Sequence, residues 1–508
     1  MFQAGVLAAL FLFLFFSRRH RLPPGPSGNV AGEFTNLTMP EVFEKWRRKY
    51  GRIFSFKLGT RIVIVLNDIN ATTDLLDKRG EIYSSRPRFV VSHEILSDGK
   101  RGLSAPYGEH WRKWRKLQHM GMNGKAALYY RDQQTLEAAF LLREMLASAS
   151  GHEQALQRFV TSNVLGIAYG RRILDLKDEM VSFNYKSALE FQRASTPGKY
   201  IVETWPSLLW LPRPLQWFRP GLEVLEKIRD KDRETYMSYF NGVKQRSEAG
   251  IAKDCMATYS LSHGGNQGMT DVEVAYALSA PFSAGVDTTL SAIRWSLVAA
   301  ICFPDVLKRI QAELDSVVGQ DRMPTFDDER SLPFLGAFIK EVTRWRPVVP
   351  IGIPHATTKA DVYDGYEIPK GATVFSNIDV LVKDPNLFDD PEAFNPSRFL
   401  TQHKPAGNWN GKVESGFTIP FGFGRRVCPG MHVALQSTFI SMARIFWAFD
   451  VLPAAEGSSI DPTKTVNRGT TREPAPFQFR VRVRHPDVER IIEAESADAD
   501  FRLKEWEY

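Results

Sequence analysis

The chain has 508 residues, 43% of them hydrophobic, and a formal net charge of +7 with histidine neutral. That is ample apolar material for a large core, and no polybasic stripe interleaved with aromatics marks it as a nucleic-acid binder. Three cysteines, an odd number, argue against a disulfide framework and for a reducing compartment.

Met1 to Phe16 is apolar apart from Gln3, and Ser17-Arg18-Arg19-His20-Arg21 follows. A cleaved secretory signal carries its charge before the apolar run and a small-residue cleavage site after it; this segment has neither. Arginines on the C-terminal flank keep that side in the cytoplasm. As a helix the run rises roughly 24 Å, against about 27 Å for an endoplasmic reticulum bilayer. A short single-pass anchor is expected, with an interfacial helix as the alternative. Leu22-Pro23-Pro24-Gly25-Pro26 reads as a stiff hinge. Nothing further along reads as a linker or repeat. The chain thus divides into an anchor (1–16), a basic and Pro-rich hinge (17–28) and one large domain (29–508). The sequons at Asn36 and Asn70 would face the cytoplasm and are read as chance.

Arg52–Leu58, Gly59-Thr60 and Arg61–Leu66 read as a β-hairpin, a second strand pair brackets Pro369-Lys370-Gly371, and Phe477–Arg484 alternates as a late strand. Helical spacing runs through Leu136–Leu146, Asp271–Ile301, Asp305–Val318 and His432–Trp447. The fold class is therefore mainly α with a minor β-sheet. Beyond Pro486 the residues turn charged and small, so roughly the last twenty are expected to be poorly ordered.

Several polar clusters interrupt the apolar background. Trp111 and Arg115 stand one helical turn apart. Ala284-Gly285-Val286-Asp287-Thr288-Thr289 lies inside a long apolar helical segment, where an acid and a hydroxyl are costly to bury. Gly285 there would let a flat ligand approach, and a threonine hydroxyl can divert a backbone bond and open a groove. Glu341 and Arg344 share a helix face at i, i+3, and Arg398 follows in Phe394-Asn395-Pro396-Ser397-Arg398-Phe399. Cys428 sits in Phe421-Gly422-Phe423-Gly424-Arg425-Arg426-Val427-Cys428-Pro429-Gly430, where glycines would let backbone N–H groups approach the sulfur. Cys255 and Cys302 read as small buried hydrophobes.

Phe421, Gly424, Arg426, Cys428 and Gly430 occupy the fixed positions of F-x-x-G-x-R-x-C-x-G. With them the chain resembles, over nearly its whole length, the cytochrome P-450 family of haem-thiolate monooxygenases. The resemblance implies a single large P-450 fold with haem b between the long distal helix and the cysteine loop. Cys428 would be the axial ligand of the iron, and thiolate ligation favours O–O cleavage. Phe421 would shield the proximal face, while Trp111, Arg115 and Arg426 would hold the haem propionates. His355 is a further propionate partner, or else a satisfied surface histidine. Asp287 and Thr288 match the A-G-x-[DE]-T-[TS] element and would deliver protons to oxygen on the distal face. Glu341, Arg344 and Arg398 would form a buried triad holding the proximal loop.

No dinucleotide fingerprint appears, so electrons must come from a separate protein. The microsomal look implies NADPH–cytochrome P-450 reductase, met by Arg112, Lys113 and Lys116, at the endoplasmic reticulum membrane and as a monomer. Distal contacts are expected from 87–106, 282–284, 348–353 and 467–471, with Val348, Val349, Ile351 and Ile353 as an apolar wall for an apolar small molecule. Ser195–Pro206 and Pro354–Tyr366 resemble the fungal O-methylsterigmatocystin oxidoreductase-like group, which implies secondary-metabolite biosynthesis. A haem sensor or electron carrier, and an oxygen-independent thiolate-haem isomerase or dehydratase, are the alternatives; neither needs the acid–threonine pair.

Overall fold

Residues 21–400 and 416–507 are described by the computed structural model, apart from positions 29, 36, 149, 150, 197 and 263. The expected anchor, 1–16, lies outside the described residues. Among these, no single helix is long and apolar enough to cross a membrane.

The Pro-rich stretch does not stand clear of the body as a free hinge. Ser55 donates its backbone N–H to Pro24 O at 2.9 Å and its hydroxyl to Pro23 O at 2.6 Å. A Cβ on Gly25 would fall 1.6 Å from the Ser55 carbonyl oxygen, so only glycine lets the two backbones lie this close. Glu367 N–H reaches back to Arg21 O at 3.0 Å. Packing therefore begins at about Arg21, inside the segment expected to be a linker.

In chain order, helix α1 spans Met39–Tyr50, with Glu41 accepting from the Thr38 N–H at 2.7 Å and Gly51 (φ +89) ending it. Strands β1 (Ile53–Leu58) and β2 (Arg61–Leu66) form the expected hairpin, Ile53 opposite Leu66. The helices of eight or more residues that follow are α2 (Glu109–Met122), α3 (Arg131–Ala147), α4 (His152–Tyr169), α5 (Glu179–Ala194), α6 (Arg219–Glu248) and α7 (Asp271–Leu278). Next come α8 (Ala280–Cys302), α9 (Pro304–Val317) and α10 (Pro333–Trp345). The single helix expected over 271–301 is interrupted at Ser279, because Pro281 has no N–H to continue the ladder.

Four short strands follow: β3 (His355–Ala356), β4 (Asp361–Tyr363), β5 (Tyr366–Ile368) and β6 (Thr373–Ser376). The strands on either side of Pro369-Lys370-Gly371 exist, but they do not pair with each other. β5 pairs antiparallel with β4, whereas β6 joins β2 in parallel, Val63 opposite Thr373, and carries β3 on its other edge. Local sequence placed the turn; a neighbouring tight hairpin took β5, and long-range pairing took β6.

The chain ends with α11 (Met431–Ala448), β7 (Phe449–Pro453), β8 (Thr465–Arg468), β9 (Thr471–Pro474), β10 (Phe479–Val483) and α12 (Val488–Leu503). β10 pairs with β7 and β9 with β8. The expectation of a poorly ordered C-terminus is overturned. Val488, Ile491, Ile492, Ala499 and Leu503 are buried along one face of α12, which packs on α3. Beyond it, Trp506 O accepts the Arg172 N–H at 2.8 Å. The charges that dominate the composition lie on the solvent face, and the sparse apolar residues recur at helical spacing.

α8 and α11 are apolar nearly all round and form the middle of the main core. Ile293, Trp295 and Val298 of α8 share a cluster with Ile440, Ile445 and Trp447 of α11 and Phe159 of α4. Burial of this kind is worth roughly 1.5–3 kcal/mol per large side chain. It makes α8 and α11 the rigid pair on which the polar clusters are mounted.

Candidate active site

Cys428 lies three residues before Met431, the first residue of α11. Its N–H donates to Phe421 O at 2.8 Å and closes the loop on itself. Gly422 (φ +83) and Gly424 (φ +57) take backbone conformations that other residues rarely adopt, and a Cβ on Gly424 would lie 2.1 Å from Leu76 O. These glycines shape the loop and seat it on residues 76–77. The N–H groups that reach the sulfur come from Gly430 and Met431, at the start of α11. Of the loop glycines expected to let N–H groups approach the sulfur, Gly430 supplies one itself, while Gly422 and Gly424 act on the loop's course. Burial pushes the Cys428 thiol up; the two N–H groups and the Arg115 charge pull it back.

Around this loop positive charge gathers without a countercharge. Arg115 donates to Val427 O at 2.6 Å. Arg426 lies 4.2 Å over the Trp111 ring and donates to Ser84 O and Ala105 O, both at 2.8 Å. Burial first, then Arg86 and Arg115, presses the Arg426 guanidinium down to about 8. Among the described residues neither Arg115 nor Arg426 has a carboxylate in ion-pair contact. Trp111 Nε1 is buried with no acceptor among the described residues. His355 is buried, and its Nδ1 meets Tyr83 O at 2.8 Å, so Nδ1 carries the proton and Nε2 is the free nitrogen. Burial, Arg86 and Arg426 push His355 down to about 3, so the ring is neutral unless an anion beside Nε2 favours its protonation, as a propionate there would.

These residues suit haem. Two propionates would supply the missing anions and an acceptor for Trp111, and a half-buried thiol fed by two N–H groups suits an axial thiolate. Arg86, in Ser85-Arg86-Pro87, was not singled out by the sequence; nothing in its local pattern distinguishes it from a surface arginine.

On α8, Thr288 donates its hydroxyl to Ala284 O at 2.7 Å, the back-bond expected of a mid-helix threonine. A Cβ on Gly285 would meet only Val164 Cγ2 of α4 at 3.5 Å, an ordinary contact, so the packing does not require glycine there. Asp287 and Ala284 are exposed along the helix and Thr288 half-buried, while Phe282, Val286 and Leu290 turn into the core. Enough protein still surrounds Asp287 that burial raises its carboxyl, with Arg468 and Arg294 acting the other way. Both arginines pair with Glu473, and Arg294 also bonds Glu153 through Nε at 3.3 Å. The β8–β9 hairpin that brings Arg468 and Glu473 here is tied to α8 where Ser291 and Trp295 donate to Arg472 O at 3.0 and 3.4 Å. Sequence spacing could not bring these charges together. Of the expected wall, Ile351 packs with Phe43, Trp46 and Phe54 in the N-terminal cluster and faces away; Val348, Val349 and Ile353 are half-buried.

Glu341, Arg344 and Arg398 do meet. Arg344 grips Glu341 with Nε at 2.7 Å and Nη2 at 2.8 Å, and Arg398 Nε adds a bond of 3.1 Å. The Asn395 N–H donates to the same carboxylate at 2.8 Å. The remaining donors reach the carbonyls of Val382, Pro391, Ala393 and Asp389. All three side chains are essentially out of solvent. On the outer face of α2, Arg112 and Lys116 are exposed, and Lys113 is paired with Glu109 at 2.9 Å.

Comparison with known proteins agrees with this arrangement. Residues 23–481 match the family described as Cytochrome P-450. A cytochrome P-450 monooxygenase of Armillaria gallica is 34% identical over 97% of this chain and 98% of its own length. The monooxygenase aneD of Aspergillus aculeatus is 34% identical over 95% of this chain and 92% of its own length. Among solved structures, a zebra fish cytochrome P-450 with progesterone superposes with a TM-score of 0.71 at 26% identity, covering 88% of this chain and 100% of that one. The chain belongs to the cytochrome P-450 family. It is accordingly a haem-thiolate monooxygenase, an oxidoreductase that takes electrons from a redox partner and acts with O2 on a small molecule. The sensor and isomerase alternatives have no support from these relatives.

Proposed function

We propose that Cys428 is the axial thiolate of haem b, that Trp111, Arg115, Arg426 and His355 hold its propionates, and that Phe421 shields the proximal side. The observation that carries this reading is the half-buried Cys428 sulfur, fed by the Gly430 and Met431 N–H groups beside arginines that, among the described residues, have no carboxylate in ion-pair contact. Bound there, haem supplies dioxygen reduction and the transfer of one oxygen atom to an unreactive C–H bond or alkene, the other leaving as water.

The chain's own residues position and protonate. The two N–H groups spread the thiolate's charge and set how strongly it donates. Asp287, exposed on α8 and held by charge to Arg294 and Arg468, takes protons from solvent and hands them toward Thr288. The Thr288 hydroxyl rests its proton on Ala284 O, and its lone pairs accept the incoming donor. Glu341, Arg344 and Arg398 hold the chain before the cysteine loop in place.

Electrons would come from NADPH–cytochrome P-450 reductase docking against Arg112, Lys113 and Lys116, steered by opposite charge. Residues 1–16 would anchor the protein, as a monomer, in the endoplasmic reticulum membrane with the domain in the cytoplasm. The substrate class is an apolar small molecule, and the similarity to fungal monooxygenases favours secondary-metabolite biosynthesis. The test of the site is the CO-difference spectrum of reduced protein. The parent is expected to show the thiolate band and Cys428→Ser to lose it; a parent-like Soret band in the mutant refutes the ligand assignment. Untargeted metabolite profiling of a deletion strain beside its parent tests the substrate class.

A further inference from the structure

Where β9 packs on α8, three carboxylates and two arginines gather, and they do not pair off evenly. Arg294 stands two helical turns beyond Asp287 and so on the same face of α8. Arg468 lies just past Val466, the residue opposite Glu473 in the β8–β9 hairpin, so Arg468 and Glu473 share a face of it. Glu473 takes both cations, Arg468 on one carboxylate oxygen and Arg294 on the other. Arg294 is gripped a second time by Glu153 of α4, through Nε at 3.3 Å. Asp287 is left in no ion pair among the described residues, although the charges of both arginines bear on it.

Glu473 is held firmly in place. It follows Arg472, whose carbonyl is bonded to α8 and whose N–H donates to Val348 O at 2.7 Å. Only 8% of Glu473 is exposed, whereas the Arg468 side chain is 63% exposed near the hairpin's tip. The fixed acid therefore sets the place of the exposed arginine. Without Glu473, Arg294 would keep Glu153, but Arg468 would lose the one carboxylate it pairs with among the described residues. Asp287 is the next acid its charge bears on. Tyr185 of α5 also lies within the field of Asp287; burial, foremost, pushes that phenol up, so it adds no charge. A guanidinium paired to a carboxylate holds it ionised, and a relay must both take up and release its proton.

We infer that Glu473 is a positioning residue for proton delivery: by taking the charges of Arg468 and Arg294, it leaves the Asp287 carboxylate free to accept a proton from solvent and pass it toward Thr288. This rests on the acid–threonine reading above. Burial raises the Asp287 carboxyl, and pairing of both arginines elsewhere lets that rise stand.

The test follows hydrogen peroxide released per NADPH consumed by the holoenzyme with its reductase, as a function of pH, over the range in which the CO-difference spectrum keeps the thiolate band. In the parent the ratio is expected to rise with pH as Asp287 loses its proton. Glu473→Gln frees an arginine to hold Asp287 ionised, so its curve is expected to move to lower pH by about one unit, the low end of what a guanidinium does to a neighbouring aspartate. Adding Arg468→Gln removes the freed charge and should bring the curve back to the parent's. An unmoved or upward-shifted curve in Glu473→Gln overturns the inference. So does an equal shift in the single and double variants, which would trace the effect to the hairpin's packing and not to its charge. If Glu473→Gln does not accumulate folded, Glu473→Ser, which admits water to both guanidinium groups, is read in the same way. A parent ratio flat with pH, or an Asp287→Asn protein that keeps the parent's curve, would instead refute the acid–threonine reading, and this inference with it.

Discussion

Replacing Glu341 by glutamine keeps the length of the side chain and removes its charge at the point where two buried arginines converge. The carboxylate accepts two bonds from Arg344, one from Arg398 and one from the Asn395 N–H. Glutamine offers one oxygen and turns an N–H₂ toward donors, so at least one guanidinium N–H faces another donor. Both arginines then lack a counterion, although their carbonyl partners from 382–393 remain. Breaking a buried pair in this way costs about 3–5 kcal/mol, a large share of the roughly 5–15 kcal/mol that holds a domain folded. The assay is denaturant unfolding of the purified protein together with haem content per polypeptide. Glu44→Gln is the control: its partners Arg47 and Arg48, at 2.7 and 2.9 Å, are solvated on α1, and its loss should cost less than about 1 kcal/mol. A Glu341→Gln protein with parental haem content and no larger a fall in midpoint than the control would refute the reasoning.

Thr288→Ala removes the bond to Ala284 O and little else, at about 1 kcal/mol or less, so haem loading should be kept. Hydrogen peroxide released per NADPH consumed should rise; unchanged coupling would make Thr288 an ordinary core threonine. Deletion of residues 1–20 spares the bonds of Arg21, Pro23 and Pro24 to the sheet, and should give haem-loaded protein that no longer sediments with membranes. Failure to load haem would move the domain boundary. His93, buried against Ser104 Oγ at 3.0 Å, is pushed down to about 4 by burial, with His110 adding to it. Between pH 6.5 and 4 the unfolded chain binds a proton there that the folded chain does not. Stability should therefore fall as pH drops through that window, by up to about 1.4 kcal/mol per pH unit from this group. His93→Gln should flatten the midpoint-versus-pH curve there, and an unaltered slope counts against the assignment.

The first hairpin, four of the major helical segments and the late strand were legible because each is specified by neighbours within a few residues: alternation for strands, helical spacing for helices. The helix at the C-terminus was missed for a related reason. Its few apolar residues, Val488 to Leu503, carry the helical period, but composition over the whole segment hid them beneath the charges of the solvent face. The strands flanking residues 369–371 show the opposite limit. Their existence is local, yet β5 folds back on β4 in a tight hairpin on its other side, and the pairing of β6 with β2 joins residues far apart in the chain.

The sequence by itself determined the chemistry: a cysteine in a glycine-rich loop, an acid beside a threonine in an apolar helix, and an acid and two arginines at recognisable spacings. Each motif is short, and residue type plus spacing carries the signal. Only the tertiary structure decided which donors reach the Cys428 sulfur, since the Gly430 and Met431 N–H groups are aimed by the start of α11. It alone brought Arg468 and Glu473 from the β8–β9 hairpin to Asp287, and it alone left Arg86 buried beside Arg426 without a carboxylate. Charge acts through space and burial, and neither distance nor dielectric is written in the order of residues along a chain.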